Sequence, residues 1–438
     1  MSSFIRGTLL LIIAAFVGEC VEFVVNMVLA RELGERGLGM YMAILPTIFL
    51  IVLLASLELP VSISKYIAET DKKFHQTMLE HVLRLTIIVT AVMILIVAVV
   101  LPLIPAFQHY HPALKWLVLL VIPMSAFSSI ARGYFMGKQQ VGKIAAANLL
   151  RKVIQLILLV VLFDFFQYET STAVLIAFCT FVGSEFFMFI YLIYTFTFQY
   201  LQMKKKKRIM LLGKEVAIQL MGVSIPTTGL RVFHALTHAV QPFLIRLALL
   251  HAGVAEEIAI EQFGMLAGVA MAIGFFPSFI GHSLMTMLIP EISKAYAEKD
   301  VMKMQTLLQK VMATTILYGV PAILVFNFLA EPLTNLFFHS PGAAIYLQML
   351  CPYFLLHFLI IPMQAYLIGL GLMKEAFYHS VWATIMSYIT MYILGSMYTF
   401  QMDGIIIGMN MGALLLASMH YVTICKKIGV SLTLTPIK

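Results

Sequence analysis

The run Leu83-Arg-Leu-Thr-Ile-Ile-Val-Thr-Ala-Val-Met-Ile-Leu-Ile-Val-Ala-Val-Val-Leu-Pro-Leu-Ile104 decides the fold class. It carries one charge, Arg84, and is otherwise apolar except for two threonines. A helix needs about 20 mainly apolar residues to cross the hydrocarbon core of a bilayer. Eleven further segments meet that test: 9–30, 38–60, 116–136, 144–166, 172–198, 215–250, 262–290, 308–330, 343–370, 376–399 and 404–425. Such runs are too long and too uniformly apolar for parallel strands. A membrane β-barrel would instead show alternating segments of about ten residues. The expectation is an all-α polytopic membrane protein with about twelve transmembrane helices.

The rest of the composition agrees. Of 438 residues, 61% are hydrophobic and 11% charged, with mean hydropathy +0.96. Soluble domains are about 45–50% apolar and about 25% charged, so soluble, disordered and disulfide-stapled secreted readings are excluded. Lys and Arg outnumber Asp and Glu by 29 to 21. In a membrane protein that excess marks one set of loops rather than a nucleic-acid partner. Cys20, Cys179, Cys351 and Cys425 lie far apart in or beside apolar stretches, without metal-ligand spacing, and read as small core residues. Residues Met1 to Arg6 lead directly into an apolar run without a small-residue cleavage pattern, as in a retained first span.

Loop charges set the orientation. With the N-terminus inside, Lys65, Lys72, Lys73, Lys138, Lys143, the run Lys204–Arg208, Lys294, Lys299, Lys303, Lys374, Lys426 and Lys427 all fall inside. The opposite loops hold Arg31, Arg36 and Lys115, and the loop around Glu256 and Glu257 is acidic. This bias places both termini in the cytoplasm. The basic run falls mid-chain, so the expected organisation is a six-helix lobe over 1–200, a basic cytoplasmic linker over 201–213, and a second six-helix lobe over 214–438.

The lobes are related in sequence. Ile63-Ser-Lys-Tyr-Ile-Ala-Glu-Thr-Asp71 aligns without gaps to Ile292-Ser-Lys-Ala-Tyr-Ala-Glu-Lys-Asp300, with six of nine positions identical. Pro60 and Pro290 precede the two stretches, and Tyr134-Phe-Met-Gly137 echoes Tyr366-Leu-Ile-Gly369. Both copies of the first stretch follow an even-numbered span, so the repeat is parallel, with a central cavity expected between the lobes for alternating access.

Four stretches carry a resemblance: Ala30-Arg-Glu-Leu-Gly-Glu-Arg-Gly-Leu-Gly-Met-Tyr41, Leu59-Pro-Val-Ser-Ile-Ser-Lys-Tyr-Ile-Ala-Glu69, Arg132-Gly-Tyr-Phe-Met-Gly-Lys-Gln-Gln140, and Phe276-Pro-Ser through Ile289-Pro-Glu-Ile-Ser293. In order and spacing the chain resembles the multidrug/oligosaccharidyl-lipid/polysaccharide exporter superfamily. Within it, the likeness is to polysaccharide transporters of the stage V sporulation protein B group. The resemblance implies a two-lobed flippase that moves lipid-linked saccharides across a bacterial inner membrane, with a role in building the spore envelope. Many relatives resemble fourteen-span proteins, so the twelve segments counted here leave the lipid substrate open.

A charge at the centre of a span costs about 2.5–3.5 kcal/mol on insertion scales. In the first span Glu19, Glu22 and Asn26 are spaced three and four apart, on one helical face. They either line a hydrated cavity, where the acids couple transport to H+ or Na+, or form an interhelical ion pair with a cation such as Arg246. In the seventh span Arg231, His234, His238 and Gln241 share a face, with Arg246 about a turn beyond. Guanidinium groups grip phosphate through two bonds at once, so this face reads as a binder of a pyrophosphate-linked head group. The alternative is that the histidines only join helices. Pro226 is expected to bend this long helix. Glu58, Arg151, Glu185 and His357 are lesser candidates, as cavity lining or local pairs.

No nucleotide-binding, nucleophile-elbow or HExxH motif occurs, so neither enzyme chemistry nor a cofactor is expected and transport draws on a gradient. Three functions follow: export of a lipid-linked glycan precursor, ion-coupled export of cationic amphiphiles, or non-transporting recruitment of envelope-synthesis enzymes. Membrane lipids are the expected surroundings.

Overall fold

The computed structural model describes residues 3–103, 107, 110–165, 169–204 and 213–431. Sixteen α-helices follow one another: α1 (Ser3–Ser56), α2 (Leu59–Glu69), α3 (Lys72–Val100), α4 (Leu114–Gly137), α5 (Val141–Phe165), α6 (Thr170–Lys204), α7 (Gly213–His251) and α8 (Glu256–Gly264) come first. Then come α9 (Met271–Phe275), α10 (Ser278–Ala297), α11 (Val301–Phe328), α12 (Ala330–Phe338), α13 (Ala344–Met349), α14 (Cys351–Gly369), α15 (Met373–Gly395) and α16 (Gln401–Ile428). No strand element occurs among the described residues. The protein is an all-helical, multi-pass membrane protein, as its apolar runs require.

Ten helices among the described residues are long and apolar enough to span a bilayer. One of these, running Phe16–Glu69, contains the second expected span and residues 16–30 of the first. They join at Gly34, whose φ of 62° and ψ of 178° suit a residue without Cβ. Helix α15 covers residues 376–395 of the eleventh expected segment, 376–399, without being one of the ten. The expected span 262–290 is interrupted. A π-helical turn over Met265–Ala270 joins α8 to α9, and α10 begins after Pro277. Helix α7 is one helix from Gly213 to His251; the side chain of Pro226 and residues 205–212 of the basic linker lie outside the described residues.

The chain forms two compact units. Unit 1 comprises Met1–Leu33 and Met40–Val240, and unit 2 comprises Gly34–Gly39 and Gln241–Lys438. The core of unit 1 places Leu59, Ile63 and Ile67 of α2 with Ile130, Tyr134 and Phe135 of α4 and Met188, Leu192 and Phe196 of α6. The core of unit 2 places Ile292 and Ala295 of α10 with Ile360, Met363 and Tyr366 of α14 and Ala413, Ala417 and Ile424 of α16.

The duplicated stretch has the same physical use in each unit. A Cβ on Gly133 would stand 2.8 Å from Cβ of Ile63, and one on Gly369 would stand 2.8 Å from Cβ of Ile292. Each copy therefore seats its buried isoleucine on a glycine of a later helix. The outer helices present the opposite character. Helix α3 exposes Ile87, Ile88, Leu95, Ile96 and Val99, a face suited to lipid rather than water.

Candidate functional site

Unit 1 brings several charges of its spans together. Glu19 and Glu22 of α1 both reach Lys152 of α5, whose Nζ lies 3.2 Å from Oε1 of Glu19 and 3.5 Å from Oε2 of Glu22. Lys152 also donates to the carbonyl of Gly18 at 3.1 Å. Arg151 lies 3.9 Å from Glu22 and 3.6 Å from Glu185 of α6. Arg132 of α4 donates from Nη2 to Oδ1 of Asn148 at 3.4 Å and to the sulfur of Met188 at 2.9 Å. Its Nε is buried without a hydrogen-bond partner among the described residues.

The partner of the first-span acids is therefore the adjacent pair Arg151 and Lys152, not Arg246. Three acids (Glu19, Glu22, Glu185) stand with three cations (Arg132, Arg151, Lys152), so the cluster is formally neutral. Asn26, one turn beyond Glu22, is half-buried. Arg132, Arg151, Lys152 and Asn148 were not singled out as a set by the sequence. The available signal was two adjacent cations inside the apolar run 144–166, matching two acids in span one.

A second feature of unit 1 involves α7. Leu57 and Glu58 take positive φ values of 45° and 48°, a left-handed conformation unfavourable to side chains with a Cβ. They end α1, and Pro60 starts α2 in the first-turn position that tolerates it. Two side chains of α7 hold this break: the Ser224 hydroxyl donates to the carbonyl of Leu57, and Nη1 of Arg231 donates to Oε1 of Glu58 at 2.6 Å. Glu58 is 7% exposed and Arg231 66%, so one edge of the guanidinium serves the carboxylate while much of it stays open. His234 and His238 follow on α7 and are exposed.

Gln241 and Arg246 fall in unit 2. Gln241 is half-buried, and Arg246 is paired with Glu256 at the start of α8. Nearby, Arg36 lies 2.8 Å from Glu257, and the Ser340 hydroxyl donates to Oε1 of Glu35 at 2.6 Å. The segment Gly34–Gly39 sits tightly on α8 and the π turn: a Cβ on Gly264 would stand 2.2 Å from the carbonyl oxygen of Glu35. His357 lies among aromatic rings, 4.8 Å from Phe275 and 6.1 Å from Tyr353 between centroids. Among the described residues no three His, Cys, Asp or Glu side chains come together as a metal site would require.

Known proteins place this architecture. A family model described as polysaccharide biosynthesis protein matches residues 4–256, and the MatE family model matches residues 265–393. The inward-facing conformation of a multidrug resistance MATE family transporter of the MOP superfamily is similar with a TM-score of 0.74 at 17% identity, covering 94% of each chain. A MOP superfamily transporter from Pyrococcus furiosus is similar with a TM-score of 0.67 at 16% identity, covering 96% of this chain and 95% of that one. At such identity these structures define the fold alone, the two-lobed architecture of the MOP exporters.

The class is thus a membrane transporter. Sporulation protein YkvU of Bacillus subtilis (strain 168) is 54% identical over 435 residues, covering 99% of this chain and 98% of that protein. Stage V sporulation protein B of the same organism is 30% identical over 446 residues, covering 98% and 85%. The chain belongs to the polysaccharide biosynthesis protein family and resembles stage V sporulation protein B along 98% of its length.

Proposed function

We propose that this transporter is a flippase that carries a lipid-linked oligosaccharide or related envelope polysaccharide precursor outward by alternating access, in the building of the spore envelope. The likeness to stage V sporulation protein B along 98% of the chain carries this reading. The setting is a bacterial cell membrane with both termini in the cytoplasm, as the loop cations require. The moving lobes are 1–200 and 214–438, joined by the stretch 201–213.

Arg231, His234, His238, Gln241, Arg246 and Asn26 are assigned to the substrate. Arg231 supports this best, because a guanidinium has five donors and Glu58 takes only one edge. Glu19 and Glu22 are assigned to coupling with H+ or Na+, competing with Lys152 for the same ion-pairing position. An exporter of cationic amphiphiles would need surplus negative charge in the span-one face. Arg151 and Lys152 offset that charge, which favours the anionic glycan lipid.

The test is flipping of a fluorescent polyprenyl-pyrophosphate oligosaccharide in proteoliposomes. Arg231→Ala and Arg246→Ala should abolish flipping while protein still reaches the membrane. Lys should rescue poorly, since it cannot supply the guanidinium fork. Arg231→Ala also strands a buried carboxylate, so Arg231→Ala with Glu58→Gln is the control. Full activity in that double variant would make Arg231 structural. Glu19→Gln and Glu22→Gln should bind substrate yet lose dependence on the ion gradient; unchanged gradient dependence in both would assign the acids to packing.

A further inference from the structure

Unit 2 buries a polar contact that the assignments above leave unused. His379 of α15 and His420 of α16 are 8% and 1% exposed, with their Nδ1 atoms 3.1 Å apart. On the other side of the His379 ring, Nε2 stands 3.2 Å from the hydroxyl of Thr423. The two helices close tightly along the rest of this hairpin. A Cβ on Gly404 would stand 2.5 Å from the carbonyl carbon of Leu394, and one on Gly408 would stand 2.6 Å from the nitrogen of Met391.

Two imidazoles facing Nδ1 to Nδ1 obey a proton count. At this distance one nitrogen donates and the other accepts, so a neutral pair keeps one proton on the line between them. The donor ring then has a bare Nε2, and the acceptor ring carries its own proton on Nε2. One added proton occupies the bare Nε2 and gives an imidazolium that donates to a neutral imidazole along the same line. Thr423 serves both states, because a hydroxyl either donates to a bare Nε2 of His379 or accepts from a protonated one. A second added proton would set two N–H groups against each other and force the pair apart.

The surrounding ionisable groups are few. Glu375, about one turn earlier on α15, is the carboxylate whose field reaches His379. From α14, Tyr366 stands by Cys425 of α16 and donates to the carbonyl of Met304 of α11 at 2.5 Å. Cys425 in turn meets Tyr421. Lys374 flanks Glu375, and Lys426 and Lys427 lie in the last turn of α16.

We propose that His379 and His420 form a one-proton binding site in unit 2 through which pH sets how tightly α15 holds α16. The singly protonated pair is joined by a charge-assisted bond, roughly twice as strong as the neutral one, so proton binding fastens the hairpin. A role for this site in driving transport rests on the flippase reading above; the proton site itself does not.

The test uses the full-length protein in lipid nanodiscs, with 15N-labelled histidine, taken from about pH 8 to about pH 5. The Nδ1 resonances of both residues should move together with uptake of one proton by the pair. Protection over 373–395 and 401–428, the exchange rate taken relative to the intrinsic amide rate at each pH, should rise on acidification. In His379→Asn and in His420→Asn the amide takes the place of Nδ1 and keeps a hydrogen bond while the shared proton site is lost, so protection there should lose most of its dependence on pH. Independent titration of the two rings, uptake of two protons, or a pH response undiminished in both Asn variants would overturn the proposal. If an Asn variant does not fold, the wild-type resonances decide alone. No substrate is present, so this outcome and that of the flipping assay are read separately.

Discussion

The two units share a duplicated packing unit and differ in how they treat charge. Unit 1 places six charged side chains (Glu19, Glu22, Arg132, Arg151, Lys152 and Glu185) within the expected spans of four helices. On insertion scales each would cost about 2.5–3.5 kcal/mol at mid-membrane, which only mutual pairing offsets. Among the described residues, the ion pairs of unit 2 lie toward helix ends and turns: Arg36 with Glu257, Arg246 with Glu256, and Lys303 with Glu291. Its buried polar contact is the pair of histidines, which needs no formal charge. The repeat thus conserves the scaffold, the isoleucine on its glycine, while leaving the interior polarity of each unit free to diverge. Arg151, Lys152 and Glu185 are 19%, 14% and 16% exposed, so unit 1 is where stability depends most on charges that need one another.

That contrast breaks most directly at Arg151. Removing one member of a buried ion pair leaves an uncompensated charge and destabilises by about 3–5 kcal/mol, whereas replacing both members with apolar groups is often neutral. Arg151 and Glu185 are 19% and 16% exposed. Arg151→Leu should therefore lower the thermal midpoint of the purified protein strongly, and Arg151→Leu with Glu185→Leu should recover much of it. Recovery will be incomplete because Glu22 also faces Arg151. A single variant as stable as wild type would mean that these charges are solvated, and the distinction between the units would fall.

The next effect lies in unit 2. Its α15–α16 hairpin depends on small residues where unit 1 depends on charge. Gly408→Leu must push against the Met391 backbone, since even a Cβ would stand 2.6 Å from its nitrogen. Overpacking of this kind costs about 1–3 kcal/mol. The same variant should loosen the packing of α16 on α15, visible as faster hydrogen exchange over 401–428. Wild-type exchange in this variant would show that the hairpin adjusts without loss.

How much of this was legible in the sequence follows from what each signal depends on. Apolar run length is set by bilayer thickness, so the helices could be read without any partner. The repeat of Ile63–Asp71 in Ile292–Asp300 was legible from its recurring residues, and in each unit its isoleucine packs on a glycine. The join at Gly34 and the π turn at Met265–Ala270 were not, since both depend on tertiary packing that leaves apolar periodicity unchanged. In the site, Glu19 and Glu22 stood out because acids in a span need a reason. Their partners Arg151 and Lys152 were underweighted because a cation near a helix end also suits a snorkelling anchor. The pairing of Arg246 with Glu256, ten residues on, was not legible because it depends on the turn between α7 and α8. The histidines of α15 and α16 were invisible as a pair, since their 41-residue separation carries no spacing rule.

The smallest expected effect sharpens the comparison from the other side. Lys303 and Glu291 of unit 2 lie 3.2 Å apart with side chains 35% and 55% exposed, against 19% and 16% for Arg151 and Glu185. Pairs of this kind contribute about 0–1 kcal/mol, because water and ions screen them and two long side chains must be held in place. Lys303→Ala should thus move the thermal midpoint only slightly. Raising salt to about 1 M shrinks the screening length to about 3 Å, so the small difference from wild type should vanish there. The loss in Arg151→Leu should persist in the same salt, because a charge held among packed helices is little reached by ions. If the two variants respond alike to salt, distance rather than burial governs these pairs, and the two units do not differ in how they hold charge.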